Sequence, residues 1–146
     1  MGLSNALKKM MQHATRFGAL ASELWKAIDS QFGRNVLVKA ANYTLTAADN
    51  GATVLCTAAA DITLPAAAAG LSYYVAQTAD ANLAILAPGS NDSIITKNDT
   101  GADSVTFSTA GQKIGSAVLV TAVTLDSGAT YKWFLANIGG TTATIA

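Results

Sequence analysis

The chain has 146 residues, 51% of them apolar and 12% charged, where an ordinary soluble domain carries about 25% charged residues. A chain so rich in groups that want burial is not a disordered tail, and its length suits one domain or one domain with an extension. Nine basic and nine acidic residues cancel, which excludes a uniformly basic nucleic-acid binder, and so charge-poor a surface favours coverage in an assembly.

Residues 1–35 predict a basic amphipathic helical arm. Ala, Leu, Met, Lys and Gln are frequent and proline is absent, a composition that favours helix. Leu3, Leu7, Met10, Ala14, Phe17, Ala21, Leu24 and Ile28 follow alternating spacings of four and three, the heptad stripe of a helix that packs on another surface. Ser4 is a candidate N-cap, Gly18 a candidate break and Gly33 a candidate C-terminal stop. Three uses of the stripe stay open: packing on the chain's own domain, self-association in a bundle, or docking on another protein. Charge divides near the same boundary. Lys8, Lys9, Arg16, Lys26, Arg34 and Lys39 stand against Glu23 and Asp29, a formal +4. The remainder carries three lysines against seven aspartates, a formal −4. Trp25 lies beside the stripe, either as a core residue or as an interface anchor.

From residue 36 to 146 the pattern changes to short alternating runs between turn residues, the mark of a β-sandwich or barrel. Strands are expected at 36–40, 43–46, 53–57, 61–64, 71–77, 82–87, 93–96, 104–108, 116–125, 130–137 and 141–145. Turns are expected at Asp49-Asn50-Gly51, Pro88-Gly89, Thr100-Gly101 and Ser127-Gly128. Residues 66–69 fit one helical turn or a loop. Alternation assigns Tyr43 and Leu45, Ile62 and Leu64, Leu71, Tyr73 and Val75, Leu83 and Ile85, and Tyr131, Trp133 and Leu135 to inner faces. The strand at 116–125 is apolar on both faces, with Val118 and Val120 on one side and Leu119, Val123 and Leu125 on the other. Such a strand is covered twice, centrally or by a neighbouring subunit, and Val118 and Val120 are taken as candidate oligomer-interface residues.

The scarce residues argue against catalysis. His13, Cys56 and Glu23 are the sole members of their types. No cluster satisfies a zinc site, no Ser-His-Asp set reaches the β region without His13, and no glycine-rich phosphate loop is present. The expectation is a non-enzyme with no cofactor and no metal. Asp92, Asn98, Asp99 and Asp103 bring together oxygen ligands that suit calcium, but without EF-hand spacing they read first as solvated turns. Cys56, between Leu55 and Thr57, reads as a buried thiol, and His13 as solvated. Glu23 and Lys26 interrupt the apolar N-terminal stretch, so neither a signal peptide nor a membrane span is expected. Ala6 stands where myristoylation favours Ser or Thr.

A resemblance joins these elements. Residues 42–51 (Asn-Tyr-Thr-Leu-Thr-Ala-Ala-Asp-Asn-Gly) are followed by Val54-Leu55 and then Asp61-Ile62-Thr63-Leu64-Pro65. Gly70, Val75-Ala76-Gln77, Ala84-Ile85-Leu86-Ala87-Pro88-Gly89, Gly111, the run 117–123 and Trp133 complete the pattern. Over residues 42–136 this resembles the β-modules of tailed-bacteriophage virion proteins, found in fibres, spikes and capsid decoration proteins. The resemblance implies a jelly-roll-like antiparallel β-sandwich, commonly homotrimeric. The short chain and the basic arm are most similar to a small capsid decoration, or cement, protein. Its expected partners are the major capsid protein and its own copies, with no nucleic acid and no membrane. It would sit on the capsid surface of the virion after synthesis in the host cytoplasm. Lys8, Lys9 and Arg16 would steer the arm, and Leu20, Leu24, Trp25 and Ile28 would supply its buried area. Two alternatives remain: a head or tail fibre or spike domain that binds a host receptor, and a carbohydrate-binding module with Tyr74 and Phe134 as its aromatic platform.

Overall fold

The computed structural model describes the backbone of residues 2–32, 35–90, 93–140 and 144–146, and their side chains except at 2–4, 14, 15, 17, 24–32 and 90. The chain divides into two compact units, residues 1–34 and residues 35–146. The first is one helix, α1 (Gly2–Phe32), 31 residues long. Gly18 does not break it, because the backbone hydrogen bonds continue on both sides of one weak helix former. Ser4 lies inside the helix rather than at its cap. Gly33, the expected stop, lies outside the described residues.

The second unit is built of strands in two sheets. They are β1 (Val36–Lys39), β2 (Tyr43–Thr44), β3 (Thr53–Cys56), β4 (Ala60–Thr63), β5 (Ser72–Gln77), β6 (Leu83–Leu86), β7 (Ile94–Thr96), β8 (Asp99–Ala102), β9 (Ser104–Phe107), β10 (Ala117–Thr124), β11 (Tyr131–Gly139) and β12 (Thr144–Ile145). The first sheet has seven strands in the order β1-β3-β5-β10-β11-β7-β8, and the second has five in the order β12-β9-β6-β4-β2. Residues 66–69 form a loop, without the helical turn considered for them.

The first six strands alternate between the sheets. β1, β3 and β5 pair in parallel in the first sheet, with Val36 beside Thr53 and Thr53 beside Tyr74. β2, β4 and β6 pair in parallel in the second, with Tyr43 beside Ile62 and Ile62 beside Ile85. The chain therefore winds through stacked coils, each contributing one strand to each sheet. Antiparallel pairing begins with the later strands: β5–β10–β11, β6–β9–β12 and β7–β8. This corrects the expectation of an antiparallel sandwich. Hydrophobic alternation reports which side chains face inward, and it is the same for either strand direction.

Side-chain amides stitch one coil to the next at the corners. Asn42 Oδ1 accepts from Asp61 N at 2.9 Å. Asn50 donates to the Gly70 carbonyl at 3.0 Å and accepts from Ser72 N at 2.8 Å. Gln77, 1% exposed, donates from Nε2 to the Ala58 and Ala81 carbonyls at 3.0 Å each. Its Oε1 accepts from Thr78 N and Ala79 N. Corners carry backbone groups that no ladder satisfies, and buried polar groups must find partners.

The core lies between the sheets. Leu45, Val54, Ile62, Leu64, Tyr73, Val75, Leu83, Ile85, Val105, Val118, Val120, Trp133 and Leu135 are among its buried members. The inner-face residues read from alternation lie here, with Tyr43 packed at the edge; Tyr131 is the exception and stays partly exposed outside this core.

Candidate functional site

Two surfaces carry the side chains singled out for function. On α1, Lys8, Lys9 and Arg16 are exposed. Leu20 is 69% exposed, and Leu7, Met10 and Met11 are exposed with it. The side chains of Leu24, Trp25 and Ile28 lie outside the described residues. The helix thus displays basic and apolar groups together over its described part. His13 is exposed on the same element.

The second surface is the outward face of the first sheet. Val118 and Val120 are not on it. Both are fully buried within the chain's own core, so the surface that a neighbour can meet is the opposite one. Pairing aligns Val36, Thr53, Tyr74, Leu119 and Ala136 in one row. A second row holds Val38, Leu55 and Ala76, and a third holds Ser72, Thr121, Phe134 and Ile95. Leu119 is 39% exposed, Phe134 47%, Val36 51% and Val38 62%. The polar groups here are hydroxyls, and Ser72 and Thr121 lie Oγ to Oγ1 at 3.4 Å. Lys132, at the margin, donates to the Thr100 carbonyl of β8 in the same sheet at 2.8 Å. The outward face of the second sheet is more polar, with Asp61, Thr63, Ser104 and Thr106 around Ala84 and Leu86.

Sequence reasoning read β10 as apolar on both faces and named Val118 and Val120 as interface candidates, whereas both point into the chain's own core. The available sequence signal for the outward face was Tyr74 and Phe134, which alternate out of phase with Tyr73, Val75, Trp133 and Leu135. Tyr74 and Phe134 do sit opposite the core face, as their alternation predicts.

The remaining candidates offer little chemistry. Asp99 Oδ1 accepts from Gly101 N at 2.8 Å, a bond within β8. Asp92 lies outside the described residues. Among the described residues no three His, Cys, Asp or Glu side chains converge on a metal-sized site. A shallow cleft of about 340 Å³ is lined by Thr63, Leu86, Ala87, Gly89, Asp103 and Ser104, with one carboxylate and no histidine, lysine or cysteine to act beside it. Cys56 is fully buried, and burial pushes its thiol up to about 11, away from the thiolate that reactive cysteines need. Among the described residues no helix is long and apolar enough to cross a membrane.

No protein-family model, curated protein or solved structure matches this chain.

Proposed function

We propose that this chain is a non-enzymatic structural component of a tailed-bacteriophage virion, a capsid decoration or cement protein. In this reading the β unit forms a trimeric knob on the capsid surface, and α1 lies across neighbouring coat subunits. The observation that carries it is the pairing of a self-sufficient β core with a separate basic helix whose Leu7, Met10, Met11 and Leu20 stay exposed. A rigid body supplies no adhesion by itself. An exposed helix bearing both charge and apolar groups is an attachment segment, since basic groups steer encounter and apolar groups supply the buried area.

The mechanism needs no chemistry beyond binding. Arms joined through a common knob bind as a set, because the second and third act at high effective concentration. A protein that binds only assembled shells stabilises them by mass action.

The test is a count and a titration. Quantitative mass spectrometry of purified virions should give copies in the hundreds, whereas a few to a few dozen would favour a fibre or spike. Added to purified shells, the wild-type chain should saturate them. Lys8→Glu, Lys9→Glu and Arg16→Glu combined should weaken binding, most of all at low salt. Absence from particles would sink the virion reading.

One alternative has an observation of its own. Tyr74 and Phe134 lie on one outward face, and Phe134 is 47% exposed, the arrangement a carbohydrate-binding module uses to stack sugar rings. Glycan-array binding by the intact chain tests it.

A further inference from the structure

We propose that the outward face of the first sheet is a self-association surface, covered by the same face of other copies of this chain, with Leu119 and Phe134 at its centre. The proposal deepens the trimeric knob suggested above and rests on that reading for the number of copies: around a three-fold axis each face is shared between two neighbours, whereas a strict face-to-face pair is a dimer.

The contrast between the two sheets is the starting point. A solvent-facing sheet surface alternates polar groups against a buried apolar face. The second sheet does so on β2, β4, β9 and β12, and is apolar outward at Ala84 and Leu86 of β6. The first does not: Val36, Val38, Leu55, Tyr74, Leu119 and Phe134 point outward on strands whose inward residues already form the core. Contiguous exposed apolar surface of this kind marks an interaction site.

Charge selects the occupant. Along β1, β3, β5, β10 and β11 the outward positions hold one side chain charged at neutral pH, Lys132, at the margin and hydrogen-bonded to Thr100. A partner that presents charge would have to desolvate it against this face with nothing to pair it. The matching surface must be uncharged, flat and apolar, and the chain itself carries one. The aspartates are placed to permit the encounter. Asp49, Asp61, Asp80, Asp99, Asp103 and Asp126 lie on corners, turns or the other strands, so acidic bodies can meet through this face without opposing carboxylates.

The area is modest. Strands lie about 4.8 Å apart, and outward residues recur about every 6.7 Å along a strand. Each outward residue therefore covers about 32 Å² of sheet, and the twelve residues of the three rows cover about 390 Å². Side-chain relief raises the accessible area toward the roughly 800 Å² that one partner gives to a standard interface.

Native mass spectrometry and light scattering of the full chain over a concentration series provide the test. The wild type should be oligomeric. Leu119→Lys with Phe134→Lys should raise the concentration of half-dissociation by about tenfold or more, with an unchanged circular dichroism spectrum. Both side chains already face outward, so lysine there leaves the core intact. Val38→Lys, on the edge strand, repeats the test should the double variant misfold. Ile114→Lys, an exposed residue between β9 and β10 that is 65% accessible, should leave the mass unchanged. A folded double variant with wild-type dissociation would overturn the proposal, as would a wild type that is monomeric throughout the series. Shell binding is measured separately, so an oligomer that fails to bind shells would count against the cement reading alone.

Discussion

Tyr73 and Trp133 meet in the core with ring centroids 5.6 Å apart and planes tilted by 49°. Each also uses its polar edge. Tyr73 donates its hydroxyl to the Thr46 carbonyl at 2.9 Å, and Trp133 Nε1 donates to the Pro65 carbonyl at 2.8 Å. The pair thus spans β5 and β11 of the first sheet and ties in the chain segments that follow β2 and β4. An aromatic contact, burial and two hydrogen bonds act on one joint.

Trp133→Phe should be among the more damaging conservative substitutions. It removes ring volume from a site with 0% exposure and leaves the Pro65 carbonyl without this donor. Cavity and lost hydrogen bond together should cost about 2–4 kcal/mol. Tyr73→Phe keeps the ring and removes one hydrogen bond, for about 1 kcal/mol. Urea unfolding followed by circular dichroism measures both. Equal losses from the two would contradict this division.

Gln77 tests the coil corners. Its amide serves two carbonyls at 3.0 Å and two backbone amides at once. Gln77→Leu preserves volume but strands several buried backbone groups, so it should destabilise by about 2–4 kcal/mol. Gln77→Glu should be as poor, because a carboxylate cannot donate to the Ala58 and Ala81 carbonyls. Thermal unfolding of both variants reads this out, and a neutral Gln77→Leu would mean that the corner tolerates the loss.

The strands were largely legible because alternation at Leu71, Tyr73 and Val75, or at Tyr131, Trp133 and Leu135, states which face is buried. Three features were not. Strand direction leaves no trace in alternation, so the parallel coils were hidden. β8 was hidden because Thr100-Gly101 reads as a turn, whereas the chain turns earlier, with Lys97 at φ 47°. A lysine in the left-handed region gives no compositional signal. The corner residues Asn42, Asn50 and Gln77 were passed over, since a single polar residue does not reveal the partner a coil away. The surface face of β10 was misread because both of its faces are apolar, and only the fold decides that Val118 and Val120 point inward.

Asp126 gives a pH prediction. In the β10–β11 turn its Oδ1 accepts from Thr130 N and from the Thr124 hydroxyl, each at 2.8 Å, and Thr124 Oγ1 in turn accepts from Gly128 N at 2.9 Å. The Thr130 amide, then the Thr124 hydroxyl, hold the carboxyl below its ordinary value of 3.8. A folded-state pKa below the unfolded one favours the ionised form. The turn therefore gains stability above pH 3.8 and loses it as pH falls through the folded value. Asp126→Ala should be less stable than wild type at neutral pH, with the gap closing in acid. Carboxyl titration by NMR should find Asp126 below 3.8, and a gap that persists unchanged in strong acid would oppose the assignment.

Cys56 turns the first sheet into its own reporter. The thiol lies on β3 with 0% exposure, and burial raises it from 9.0 to about 11. The fold favours the neutral thiol, so this contribution to stability is complete below pH 9 and declines as pH rises from there toward 11. Near neutral pH a thiol reagent should meet almost no thiolate and no access. Labelling should then proceed through opening of the coils, at a rate that rises with urea and tracks the unfolding measured by circular dichroism. Gln77→Leu should accelerate it, because Gln77 stitches the corner that follows β3, and the Thr78 N–H and hydroxyl both donate to the Cys56 carbonyl at 2.9 Å. Fast labelling of the native wild type, insensitive to urea, would place the thiol at the surface and contradict this packing.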